Sequence, residues 1–120
     1  MTNIKATNLE LTEAIRAQIE NKVEHIFKFI HTDRENVQVH AEIEKTGTRT
    51  EKGEVFRAEL GINIVGNSFR AEDMDGNLYA ALDKVRDQIV RQIKYDKSKK
   101  MDFVRRGARR LKKLLRFGRE

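Results

Sequence analysis

The 120-residue chain contains no cysteine and no proline. Without cysteine, disulfides and thiolate metal sites are excluded, and nothing implies an oxidising compartment. Without proline, nothing forces a break inside a helix. No apolar run approaches the ~20 residues that span a bilayer. The opening Met1-Thr2-Asn3-Ile4-Lys5 lacks the basic-then-apolar plan of a signal peptide, so the expected address is the cytoplasm. Signatures of catalysis are missing too. His25, His31 and His40 show no paired ligand spacing, and there is no G-x-x-x-x-G-K or G-x-G-x-x-G. Ser68 and Ser98 are the only serines, and neither sits in a G-x-S-x-G elbow. The expectation is therefore no enzyme, no metal and no cofactor.

Hydrophobic residues make up 38% and charged residues 37%, which points to a thin core beside a solvated surface or tail. The net charge of +6 is unevenly spread. Residues 100–120 hold nine cations against two anions, or +7, whereas residues 1–99 hold 16 against 17, or −1. Such a block suits a polyanion, with nucleic acid first and an acidic membrane surface second. A solubilising tail would look the same. The near-neutral body is not thereby excluded from binding nucleic acid, because binding needs cations on one face rather than a net excess.

Ile4 and Ala6 alternate with Lys5 in a short strand over Asn3–Thr7. Thr12 can cap a helix in which Ile15, Ile19, Val23, Ile26 and Ile30 recur at steps of four, four, three and four, so the helix should run to about Ile30. Val37, Val39, Ala41 and Ile43 alternate with polar residues in a half-exposed strand. A polar loop over Thr46–Gly53 follows, then a longer strand with Phe56, Ala58, Leu60, Ile62 and Ile64 on one side. Gly66-Asn67 fits a tight hairpin turn, and Phe69 and Ala71 return on a short strand. Asp73–Asn77 reads as turn chemistry, with Asp75 or Asn77 capping a second helix whose stripe is Leu78, Leu82, Val85, Ile89 and Ile93.

The order β-α-β-β-β-α, with one apolar side per element, predicts an α+β fold. Two helices should cover one face of a four-stranded sheet and leave its other face wet. The expected division is a body over 1–99 and a basic amphipathic tail over 100–120. In the tail Val104, Ala108, Leu111 and Leu115 step by four, three and four among the cations. That tail should be poorly ordered alone and fold on a partner.

On the second helix, Lys84, Gln88, Arg91 and Tyr95 step by four, three and four along the side opposite the stripe, and Lys94 and Lys97 widen that ridge. Asp83 and Asp87 lie beside it. Such a ridge, ~15 Å long, matches several phosphates of a nucleic-acid backbone; a solvated basic face would give the same pattern. On the first helix Arg16 and Lys22 flank the stripe and Lys28 faces outward, interleaved with Glu13, Glu20 and Glu24. In the tail the candidate contacts are Arg105, Arg106, Arg109, Arg110, Lys112 and Lys113.

Leu78-Tyr79-Ala80-Ala81-Leu82-Asp83, followed by Arg91-Gln92-Ile93 and Lys97, resembles the second-helix signature of the ribosome hibernation-promoting factors, also known as ribosome-associated inhibitors or sigma-54 modulation proteins. Leu11-Thr12-Glu13-Ala14-Ile15-Arg16 is similar to that family's opening helical turn, and Glu72-Asp73-Met74 to its run into the second helix. The likeness covers roughly residues 1–99. It implies a fold similar to double-stranded-RNA-binding domains. It also implies binding of the small ribosomal subunit in the channel for messenger RNA and tRNA, steric inhibition of translation and preservation of idle ribosomes. Arg16, Lys22, Arg91 and Lys97 would then contact ribosomal RNA, with Lys84 and Lys94 added from the ridge. Gln88, Tyr95 and His25 stand where the family usually has lysine, which points to weaker, less salt-dependent binding by the body; the basic tail could compensate. The chain resembles the short class, without the long members' dimerisation domain. Whether a ribosome-dimerising partner exists stays open. The rivals are a general double-stranded-RNA-binding module and a membrane-surface or partner-docking protein using the tail, although a membrane is not the expected partner.

Overall fold

The computed structural model describes residues 2–46 and 53–117, with side chains given for 2–46, 53–99 and 105–115. The polar loop expected after Thr46 lies mostly outside the described residues.

Strand β1 (Thr2–Thr7) leads into α1 (Glu13–Phe27), whose first turn is capped by Thr12 Oγ1 accepting from the Ile15 amide at 3.2 Å. The helix ends three residues before Ile30. The chain leaves through tighter turns, with the amides of Phe29 and Ile30 donating to the carbonyls of Ile26 and Phe27. After a short 3-10 turn (Arg34–Asn36) come β2 (Val37–Lys45), β3 (Phe56–Ile64) and β4 (Asn67–Asp75). Helix α2 runs from Leu78 to Phe117.

The sheet order is β1-β2-β3-β4, with β1 parallel to β2 and the other pairs antiparallel. Residues 37, 39, 41 and 43 of β2, 58, 60 and 62 of β3, and 69 and 71 of β4 point to one face. There they meet Ile19, Val23 and Ile26 of α1 and Leu82, Val85, Ile89 and Ile93 of α2 in a single core. The expected α+β two-layer architecture is what forms. Its physical basis is the matched periodicities of two in the strands and near 3.6 in the helices.

Two local expectations are corrected. The hairpin turn between β3 and β4 is Val65-Gly66, because Ile64 pairs with Asn67. Gly66 takes the positive φ of +82°, while Asn67 already belongs to the strand. Strand β4 runs four residues past Ala71, because Asp73 and Asp75 pair across to Ala58 and Phe56. Only Gly76 and Asn77 then separate β4 from α2. Asn77 is the cap, its Oδ1 accepting from the amides of Tyr79 (2.9 Å) and Ala80 (3.3 Å), while Asp75 Oδ1 holds the Asn77 amide at 3.0 Å. The basic stretch 100–117 continues α2. The backbone is helical without interruption through residues 99 and 100, which gives the molecule a long dimension of 74 Å.

The sheet's open face is built around one guanidinium. Arg57 meets Glu42 at 2.8 Å, Glu44 at 2.8 Å, Glu59 at 3.0 Å and Glu72 at 3.4 Å. The register sets Lys5, Glu42, Glu59 and Glu72 side by side across the four strands. Three adjacent carboxylates repel, and Arg57, with Arg70 paired to Glu59, offsets that repulsion. Glu59 is only 5% exposed under this network. The hydrogen bond to Glu44, opposed by burial and joined by the bond to Glu59, raises the Arg57 pKa above its ordinary value, so the guanidinium stays charged.

Candidate nucleic-acid interface

Helices α1 and α2 lie side by side over the sheet, and the candidate cations are distributed over two seams and the surface between them. The first seam joins α2 to the edge strand β4. Lys84 Nζ pairs with Asp75 Oδ2 at 2.9 Å and donates to the Met74 carbonyl at 3.2 Å. Gln88 Nε2 donates to Asp73 Oδ2 at 2.7 Å. Gln92 both donates to the Arg70 carbonyl (2.8 Å) and accepts from its amide (3.2 Å), and Asn67 Nδ2 donates to Asp96 Oδ2 at 2.9 Å. Positions 84, 88, 92 and 96 share one flank of α2 at steps of four, against a strand running the other way. Gln92 thereby occupies backbone groups that an edge strand would otherwise offer to another chain.

This seam corrects the ridge. Lys84 and Gln88 do not stand on an acid-free outward line, because β4 supplies Asp73 and Asp75 beside them. The hydrogen bond from Lys84, followed by that from the Asn77 amide, lowers the Asp75 pKa; the same bond to Asp75 raises that of Lys84. The cause was invisible along the helix because the acids come from another element.

The second seam joins α1 to α2. Lys22 Nζ pairs with Asp83 Oδ1 at 2.6 Å, and its side chain is only 13% exposed. Lys22 is thus an internal tie. Lys97 Nζ donates to the Phe29 carbonyl just past the end of α1, and Lys94 Nζ lies 5.0 Å from the centre of the Phe29 ring. Both remain exposed, and an ammonium has further N–H donors. His25 also packs against Phe29, with ring centres 5.7 Å apart.

Other cations have no such tie. Arg16, Lys28 and Arg91 are exposed, and their side chains make no hydrogen bond or ion pair among the described residues. Arg91 stands on the outward pole of α2, about 180° round the helix from the buried Leu82. Tyr95 is 64% exposed on the same side, with Lys99 Nζ 5.1 Å from its ring centre. Lys99 was not singled out in the sequence, although its i,i+4 spacing from Tyr95 was a usable signal. Arg16 lies on α1 about 120° round from Lys22, on the side away from Asp83, so it does not join one continuous ridge with Arg91. On α2, Arg105, Arg106, Arg109, Arg110, Lys112 and Lys113 are all exposed. Among the described residues no group of three or more His, Cys, Asp or Glu side chains could hold a metal ion.

The molecule therefore has two unlike faces. The helical layer carries unpaired cations, and the open sheet face carries four glutamates around Arg57 and Arg70. Residues 2–101 match the family described as sigma 54 modulation protein / S30EA ribosomal protein. The chain belongs to this family. Similar proteins include the ribosome hibernation promotion factor of Picosynechococcus sp., 33% identical over 96 residues that make up 80% of this chain and 48% of that one. The ribosome hibernation promotion factor of Lactococcus lactis subsp. cremoris is 29% identical over 97 residues, 81% of this chain and 49% of that one. The chain thus spans about half the length of these relatives. Among solved structures, the N-terminal domain of Thermus thermophilus Protein Y superposes with a TM-score of 0.65 at 27% identity, covering 77% of this chain and 92% of that domain. A ribosomal subunit interface protein from Coxiella burnetii gives 0.64 at 13% identity, covering 81% and 97%, a likeness of fold alone. Within this S30EA family fold, the matched region stops near residue 101, so the helical extension lies almost wholly beyond it.

Proposed function

We propose that this S30EA-family chain is a ribosome hibernation factor that binds RNA of the small ribosomal subunit in the path of messenger RNA and tRNA. It inhibits translation by occupying that path and keeps idle ribosomes intact. The observation that carries the reading is the asymmetry of charge. Arg16, Lys28 and Arg91, without an ion pair among the described residues, sit on the helical layer, while the open sheet face carries Glu42, Glu44, Glu59 and Glu72 against Lys5, Arg57 and Arg70, one negative charge in excess. RNA phosphates attract the first and repel the second, so the helical layer faces the RNA. The names of the relatives, ribosome hibernation promotion factor, support the ribosome as partner.

Within the site, Arg91 is the central contact, with Lys94, Tyr95 and Lys97 beside it and Arg16 at the far flank. Lys84 and Gln88 give less, because binding phosphate would compete with Asp75 and Asp73. Lys22 holds α1 against α2 and acts by positioning. Arg105, Arg106, Arg109, Arg110, Lys112 and Lys113 add phosphate contacts from the same continuous helix. No chemistry is done; shape and phosphate contacts set the specificity.

The test is co-sedimentation with small ribosomal subunits at moderate salt. Arg16→Glu with Arg91→Glu should lower binding well beyond the effect of Lys84→Glu. Unchanged binding by the folded double variant rejects the interface. Excess bulk duplex RNA serves as competitor: release from the subunits by that competitor would favour a general double-stranded-RNA-binding module.

A further inference from the structure

The apolar side of α2 outruns the sheet that it packs on. Ile93 is buried in the core, and Leu111 stands eighteen residues, or about five turns, further along, on the same line of the helix. No strand faces it there. Residues 105–115 are all exposed, with Leu111 at 59%, Leu114 at 69% and Leu115 at 62%. At about 100° per residue, Gly107, Ala108, Leu111, Leu114 and Leu115 fill one arc of about 120°. The six cations, Arg105 to Lys113, fill the opposite arc of about 160°. No acidic residue interrupts either arc.

Phosphate binding explains the second arc and leaves the first without purpose. An RNA groove offers phosphates and polar base edges, and gives three leucines nothing to be buried in. A second copy is disfavoured by charge, since pairing the apolar arcs would bring two clusters of six cations together. An interface apolar within and anionic at its rim satisfies both arcs at once, and an anionic bilayer surface has that chemistry. We infer that residues 105–115 of α2 dock on an anionic lipid surface, with Leu111, Leu114 and Leu115 in the acyl boundary. Arg105, Lys112 and Arg110, which border the apolar arc, reach lipid phosphates by laying their stems along it. The inference is independent of the ribosome reading. The two meet in one consequence: the same six cations cannot hold RNA and lipid phosphates together, so the two surfaces compete for the extension.

The test uses the full chain and flotation with vesicles of phosphatidylglycerol and phosphatidylcholine, against phosphatidylcholine alone. Binding is expected to the first only, and to weaken with salt. The chain has no tryptophan, so Leu114→Trp supplies a single indole whose emission should shift to the blue on the anionic vesicles. Leu111→Ser with Leu114→Ser and Leu115→Ser keeps every cation. It should lower vesicle affinity roughly tenfold or more while leaving duplex-RNA binding unchanged. Three results overturn the proposal: no binding to anionic vesicles, equal vesicle binding by the triple serine variant, or an indole that stays in water when the protein floats. Loss of RNA binding by the serine variant without loss of vesicle binding also overturns it, and assigns the leucines to the RNA complex.

Discussion

Replacing Arg57 by methionine keeps most of the stem's volume and removes the charge that four glutamates share. The side chain of Arg57 is 14% exposed and that of Glu59 only 7%, so this pair is nearly dry, whereas the Glu72 side chain at 49% is wet and contributes little. Breaking a buried pair costs about 3–5 kcal/mol, mainly because the remaining charge is stranded. Glu59 keeps Arg70, which places the expected cost near the lower end, about 3 kcal/mol. That is a large share of the ~5–15 kcal/mol that hold a domain together, and corresponds to roughly 12–15 °C in Tm. Urea unfolding followed by far-UV circular dichroism measures it. Adding Glu59→Gln to Arg57→Met should recover about 1 kcal/mol or more, because the second change removes a stranded charge. A loss below about 1 kcal/mol, or no recovery in the double variant, would refute the argument that Arg57 neutralises this face.

Ile89, wholly buried between α2 and the sheet, should cost about 2–5 kcal/mol when changed to alanine, read from the same unfolding curves. The Asp75 carboxyl, held below its ordinary pKa first by Lys84 and then by the Asn77 amide, should titrate below the usual aspartate range in a carbon-13 NMR experiment. Since the folded value is the lower one, this interaction stabilises above the unfolded pKa and is lost as pH falls through the folded pKa; Lys84→Met should return the midpoint toward the ordinary range. Truncation after Lys99 should leave the body's melting temperature nearly unchanged, because residues 105–115 touch nothing in it. It should also make the dependence of log affinity for small subunits on log salt shallower, by roughly 0.9 for each phosphate that the extension neutralises in the full chain.

The helical stripes and the alternating strands were legible because each element buries one side. Ile19, Val23 and Ile26, and likewise Val37, Val39, Ala41 and Ile43, are buried as their spacing requires. Boundaries were less so. The end of β4 reads as turn chemistry because Asp73 and Asp75 are turn-favouring residues, yet pairing with Ala58 and Phe56 overrides local preference. Of the candidate contacts, the side chains of Arg16, Arg91 and the cations at 105–113 have no ion pair among the described residues, as a one-dimensional reading assumes. Lys22, Lys84 and Gln88 are engaged, because Asp83, Asp75 and Asp73 reach them across an interhelical or helix–strand seam.

The order of residues by itself determined the elements, the layer they form and where positive charge accumulates, since periodicity and composition act along the chain. Tertiary structure alone decided which of those charges are free. Pairing depends on distance in space, and the acids that engage Lys84, Gln88 and Lys22 are nine, fifteen and sixty-one residues away in sequence yet within 3 Å in the fold.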